Sequence, residues 1–370
     1  MSPSGIIKRE NATAAGKVAR GARVGSGSQP EVRPLRVVAI GGGTGLSTLL
    51  RGLKKYAPHS TCIDVAATAH AADLRGIADL TAVVTVTDDG GSSGRLRKEF
   101  NILPPGDIRN CLVALSEDEA LLSRMFQYRF ETGGGLEGHN FGNLFVTALT
   151  AVTGDFAEAV RESSKILATR GTIFPSTISN VQLEALMNDG STVFGETNIT
   201  ASQLRIVRLR MVPENAQPLP ETLEAIAKAD MITIGPGSLF TSLIPNLLVH
   251  GIPEAIAASR AIKVYICNLM TQANESLGLS ASEHIRKLYE HAGVPIFDYA
   301  VVNTEPISES LQARYALEGA SRIVVDRDAI ESLGVRCITG NFVSEGDVVR
   351  HATERVAAEL LKLAGNVTIT

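Results

Sequence analysis

Tryptophan is absent from this chain of 370 residues, and aromatic residues make up only 5% of it. Proteins that stack bases on rings need more, so a stacking platform for nucleic acid is disfavoured. Neither sign of charge dominates: 35 Lys and Arg stand against 39 Asp and Glu, a formal net charge of -4. That balance does not suit a non-specific grip on a phosphate backbone, and no nucleic-acid partner is expected. Cysteine is scarce. Cys62, Cys111, Cys267 and Cys337 lie far apart with no metal-ligand spacing, and they read as buried free thiols of a reducing compartment. Long apolar runs are missing too. The best candidate, Met231 to Val249, is interrupted by Gly235, Pro236, Gly237 and Pro245, so no membrane span is expected.

What remains is an ordinary globular composition, 44% hydrophobic and 20% charged, in a chain long enough for a large core. Residues 1–34 differ from the rest. They are rich in Gly, Ala, Ser, Lys and Arg and have few large apolar residues, too few to offset the entropy of ordering. They are read as a disordered tail. The segment has no continuous apolar core, so it is not a secretory signal, although its arginines and few acids are transit-peptide-like.

From Leu35 onward short apolar runs alternate with helical periodicity. Leu35 to Ile40 reads as a buried strand, and Leu46, Leu49, Leu50 and Leu53 follow at helix spacing. Ser116 with Glu119 forms a capping-box pattern before Leu122, Met125 and Phe126. Pro220 starts a helix with Leu223, Ile226 and Ala227 turned inward. Strands are expected at 231–234, 262–267, 299–302 and 323–325, and helices at 238–249 and 282–291. This alternation predicts a Rossmann-like, three-layer α/β fold with a mainly parallel sheet. Residues 35–370 form the α/β domain, in which about 155–218 are less regular and read as a subdomain or covering layer.

The polar motifs fall repeatedly at strand ends, where such sheets bind ligands. Gly42, Gly43, Thr44 and Gly45 link the first strand to the first helix. Glycines there let a phosphate approach the helix start, although no lysine follows as in a Walker loop. A β-branched run, 83–87, ends on Asp88 and Asp89, followed by Gly90, Gly91, Ser92 and Ser93 and then by Arg95 and Arg97. Carboxylates beside amides, hydroxyls and arginines suit a phosphate with a divalent cation, and the two acids are candidate magnesium ligands. In 103–110, Asp107 could cap a helix, or Arg109 could instead clamp a diphosphate and Asn110 read a sugar or base. His139, Asn140 and Asn143 crowd a glycine-bounded turn, with no second ligand for zinc. Gly235, Gly237 and Ser238 repeat the strand, glycine, helix order, with Ser238 as a plausible cap. Asn268 and Gln272 either recognise a base or amide edge or fix their own loop.

Six stretches, GGGTGL, VVTVTDDGGSSGRLR, PPGDIRNCLVALS, GHNFGNL, IGPGSLFTSLIPNLL and VYICNLMTQ, occur in that order. They resemble the gluconeogenesis factor family, itself related to 2-phospho-L-lactate transferase. The resemblance implies a CofD-like α/β domain, a cytoplasmic location, and binding of a nucleotide diphosphate sugar such as UDP-N-acetylglucosamine. It also implies control of cell shape and cell-wall synthesis on gluconeogenic carbon sources, through cell-wall synthesis proteins as partners, with a homodimer left open. In the transferase relative, acids matched here by Asp88 and Asp89 work with magnesium, and the glycine loop matched by Gly42 to Gly45 faces the nucleotide. The chain departs from the family at 274–276, where Asn-Glu-Ser replaces the usual Gly-Glu-Thr, and at 57–79, which looks like an insertion. The loop at 104–110 differs from that of the transferases and favours a regulator. The reading is therefore a nucleotide-sugar-binding regulator. A magnesium-dependent transferase is the competing reading. An NAD oxidoreductase is weaker, because Asp64 is the only candidate ribose acid.

Overall fold

The computed structural model describes residues 33–58, 76–117 and 120–366. Residues 1–32 of the expected tail, Cys62, Asp64, Glu119 and most of 57–79 lie outside the described residues, whereas Arg33 is described and donates to Asp230 Oδ1 at 2.6 Å. Among the described residues twelve strands run in chain order: β1 Leu35–Gly41, β2 Ile77–Val84, β3 Thr172–Pro175, β4 Gln182–Met187, β5 Thr192–Phe194, β6 Ile206–Val212, β7 Met231–Ile234, β8 Ile262–Ile266, β9 Tyr299–Asn303, β10 Arg336–Gly340, β11 Val343–Glu345 and β12 Val349–His351.

Seven of them form one sheet in the order β10-β9-β8-β7-β1-β2-β3, and every neighbouring pair is parallel. Such strands are buried on both faces, which is why β1, β2 and β7 are nearly continuous Val, Ile, Leu and Ala. Helices Gly43–Leu53, Gly106–Leu115 and Thr353–Asn366 pack together as one layer, while Ile252–Ala258 packs on Pro220–Lys228 and Arg327–Ser332 on Ala281–Ala292 in the other. This is the three-layer α/β fold expected. Leu46, Leu49, Leu50 and Leu53 are all buried, as their spacing requires. From β1 the chain winds outward to β2 and β3, then returns to β7 on the other side of β1 and winds outward again. The order reverses between β1 and β7, and a crevice must open there at the carboxyl ends.

Two smaller sheets stand on this edge. One is antiparallel, in the order β5-β4-β6, and the other is the hairpin β11–β12. Among the described residues no single helix is long and apolar enough to cross a membrane; the one pair that qualifies by composition, Leu239–Leu247 with Ile252–Ala258, bends by 75°.

Several local expectations need correction. Residues 323–325 are not a strand; the only pairing there is an isolated bridge between Met270 and Arg322. The last parallel strand is β10, a half-exposed edge whose Arg-Cys-Ile-Thr alternation hides it among loop sequences. Residues 77–79 of the supposed insertion belong to β2. Met125 and Ala227 point outward and Phe126 and Ile226 carry the packing, so each helix is turned slightly from its expected face. Cys111 and Cys267 are buried thiols, but Cys337, on the β10 edge, is only half-buried.

Candidate functional site

Helix Gly43–Leu53 starts without any side-chain cap, its cap position being Gly42 and its first turn holding no acid. Its leading amides are therefore free for a ligand, except that Asp107 reaches over from helix Gly106–Leu115 to accept from the Gly43 N–H. Asp107 is thus not the cap of its own helix, whose cap position is Pro105. A β-carbon on Gly42 would stand 2.8 Å from Asp107 Oδ2, so only glycine admits this carboxyl.

The second glycine turn follows β7 and is held by amides. Gly237 N–H donates to Asn268 Oδ1 at 3.1 Å, and Asn268 Nδ2 donates to Gly237 O at 2.7 Å. Of its two open readings, Asn268 thus fixes the loop backbone. Ser238 sits at the cap position, yet its hydroxyl accepts from Gln272 Nε2 at 2.7 Å instead of capping. Gln272 Oε1 is buried without a partner. A single π-helical turn, Leu239–Leu243, comes next, an irregularity common where a helix shapes a site.

The two turns meet across the reversal point. A β-carbon on Gly45 would overlap Pro236 O, and one on Gly237 would lie 3.6 Å from Gly42 O. In front of them opens a cleft of about 540 Å³. Gly42 to Gly45, Gly237, Ser238, Asn268 and Gln272, all singled out from the sequence, line it. Its remaining walls were not foreseen. Glu196 enters from the helix after β5, while Tyr315 and Val348 to His351 enter from the β11–β12 side. That outer wall has a small core of its own: Leu269, Met270, Ile307, Leu311 and Val343. Val349 N–H donates to Tyr315 Oη at 3.1 Å, and His351 Nε2 bonds Cys267 O at 3.0 Å. Burial holds His351 down to about 4, so it is neutral, and Arg350 is the cleft's cation. No sequence signal marked Arg350 or Glu196, because a short hairpin and an irregular segment carry them.

The other candidates do not line this cleft. Asp88 Oδ1 accepts from Gly90 N–H at 2.9 Å. Asp89 turns away and accepts from Thr197 N–H and Oγ1 at 2.8 and 2.6 Å, at the start of helix Glu196–Ala201. Ser92 Oγ and His139 Nδ1 share a hydrogen bond of 3.1 Å, and Asn140 Oδ1 caps its helix by accepting from Asn143 N–H. Ser93 Oγ accepts from Asn143 Nδ2 at 3.5 Å. Arg109 Nη2 donates to Asn110 Oδ1 at 2.6 Å. Gly91 supplies a positive φ of 48° at its turn, and Gly235 packs against Ile266 O.

The electrostatics are dominated by uncompensated acid. Burial and the neighbouring Asp88 raise Asp107 to about 7. Burial, with Asp88, Asp107, Glu275 and Asp89 adding repulsion, raises Glu196 to about 9. Among the described residues no three His, Cys, Asp or Glu side chains group as a ready metal site. The arrangement can hold an anion on backbone amides and Arg350, with protonated carboxyls able to donate beside it.

Residues 37–343 match the family model described as 2-phospho-L-lactate transferase CofD. The gluconeogenesis factor of Halalkalibacterium halodurans is 50% identical over 327 residues, 88% of this chain and 95% of that protein. The gluconeogenesis factor of Bacillus subtilis is 45% identical over 329 residues, 89% and 98% of the two chains. A crystal structure of a UPF0052 family member from Bacillus halodurans superposes with a TM-score of 0.81 at 49% identity, covering 89% of this chain and 99% of the other. With likeness of this extent along nearly the whole length of its relatives, the chain belongs to the gluconeogenesis factor family, built on the CofD domain.

Proposed function

We propose that this protein binds a nucleotide diphosphate sugar, of the UDP-N-acetylglucosamine kind, in the cleft between the two glycine turns. As a cytoplasmic regulator it would then adjust cell shape and cell-wall synthesis during growth on gluconeogenic carbon, through a protein partner. One observation carries the reading: an uncapped helix start and a second glycine turn face each other at the reversal point of a parallel sheet. Amides and a helix dipole suit a diphosphate there, and Arg350 adds a cation opposite. The test is thermal melting with UDP-N-acetylglucosamine, followed by chromatography of the nucleotide after long incubation with magnesium. A higher melting temperature with the ligand recovered intact is expected. Steady release of UDP, with water taking the sugar, would instead support the reading as a transferase or hydrolase, which the raised carboxyls of Asp107 and Glu196 favour.

Magnesium belongs to the same proposal, with unequal roles for the two strand-end acids. Asp89 is engaged by Thr197, which leaves Asp88 as the carboxylate for an ion that arrives on the diphosphate. Magnesium is commonly held by one or two carboxylates together with substrate phosphates and water. Its contribution there is charge neutralisation. Asp88→Asn is expected to abolish any magnesium enhancement of binding. Asp89→Asn is expected to cost about 1 kcal/mol of stability through the lost cap and to leave that enhancement in place. Titrations of both variants with and without magnesium decide it, and the reverse pattern overturns the assignment.

A further inference from the structure

Three arginines, none of them in the cleft lining, converge on the loop that leads into the histidine turn. Each spends its hydrogen bonds on a neutral oxygen: Arg95 Nη2 donates to Glu137 O at 2.7 Å, Arg129 Nη1 to Gly138 O at 2.7 Å, and Arg109 Nη2 to Asn110 Oδ1 at 2.6 Å. None lies within ion-pair distance of a carboxylate among the described residues. The carbonyls that hold Arg95 and Arg129 belong to consecutive residues, and Arg95 Nη2 lies 3.1 Å from the β-carbon position of Gly138. Arg109 packs its stem on Gly142, whose β-carbon position is 2.9 Å from Arg109 Cγ and Cδ, and its Nε is buried with no partner. Burial lowers the proton affinity of both Arg109 and His139, and like charge adds to the effect: Arg129 acts on Arg109, and Arg95 and Arg129 act on His139. Asp107 and Asp88 act on Arg109 from the cleft side, and Glu99 acts on His139.

Like charges held together around one loop, one of them with a buried unmet donor, cost free energy that an anion would recover. A phosphate offers several acceptor oxygens to guanidinium forks, which a single chloride does not. We propose that Arg95, Arg109 and Arg129 form a second anion subsite that takes the phosphate group of a small phosphate monoester. Arg109 stands two residues after Asp107 in helix Gly106–Leu115, about 200° further round its axis, so the two side chains leave the helix on different faces. The assignment does not depend on what the cleft itself binds.

Calorimetric titration of the full chain with glycerol 3-phosphate and with inorganic phosphate, at constant ionic strength, tests it. Arg95 and Arg129 are exposed, so the double variant R95A/R129A keeps the core intact and leaves the partly buried Arg109 in place. Saturable binding of both probes is expected in the wild type, weakened about tenfold or more in R95A/R129A as two charge-assisted hydrogen bonds are lost. Saturating UDP-N-acetylglucosamine should leave the phosphate response in place, and the variant should keep its affinity for the nucleotide sugar within about twofold, a margin small beside the tenfold per 1.4 kcal/mol of binding arithmetic. The proposal is overturned by no saturable phosphate binding, by equal binding in the double variant, or by competition from the nucleotide sugar. The titrations without nucleotide sugar stand even where none binds.

Discussion

Replacing Gly45 by alanine is expected to destabilise the protein by roughly 3 kcal/mol, the upper range of overpacking, and to erase nucleotide-sugar binding. The added carbon would overlap Pro236 O and come within 2.9 Å of Gly237 Cα. Both obstacles are backbone, so no side chain can rotate aside. Nor can the turns separate cheaply. Ile40 pairs with Ile234 in adjacent parallel strands, and Asn268 holds both polar groups of Gly237. Gly43→Ala is the control. Its φ of +61° makes alanine strained by about 1–2 kcal/mol, but its nearest neighbour, Ser242 Oγ, is 3.5 Å away. That variant should fold with a modest loss of stability, and its binding should weaken because the methyl group stands at the cleft mouth. Chemical denaturation with calorimetric titration separates the two cases. Wild-type stability and affinity in Gly45→Ala would mean that the turns do not lock one another.

The contrast explains what could be read from the chain before its structure. Both glycine turns were legible because strand, glycine and helix follow one another locally, and each stretch carries its own period. The sheet was legible for the same reason wherever strands are buried on both faces. β10 was hidden because an edge strand needs only half its residues apolar. Asp89 could not be separated from Asp88, since its partner Thr197 lies 108 residues away. Glu196 and Arg350 belong to elements of three to six residues, too short to show a period. The division of labour at Asn268 and Gln272 also depended on distance: both side chains answer the glycine turn 31 to 34 residues earlier. Sequence revealed the residue types gathered around the cleft, but not which of them are spent on building it.

The same cleft makes a prediction about acidity. Asp107 and Glu196 are raised from 3.8 and 4.5 to about 7 and about 9. Between those limits the folded chain keeps protons that the unfolded chain has released, so these two groups lower stability as pH rises. Below about pH 4 they contribute nothing, because both states are protonated. For Asp107 alone the full effect is on the order of 4 kcal/mol, reached above about pH 7. Glu275, raised by burial, acts in the same direction. His284 and His351, held near 4 by burial, act in the opposite one: the unfolded chain protonates them first, so they add stability as pH rises from about 4 to 6.5. The wild-type profile therefore mixes two slopes, and the diagnostic is its difference from D107N/E196Q. That variant should be more stable than wild type at pH 8 and nearly equal to it at pH 4, by urea denaturation at both values. A difference that is flat with pH would mean that neither carboxyl holds a proton in the folded state. Binding of a magnesium diphosphate should follow the reverse course in the wild type. Asp88 is one of the charges that keep Asp107 and Glu196 protonated, so a magnesium ion held on Asp88 would release their protons, and affinity should rise as pH passes 7.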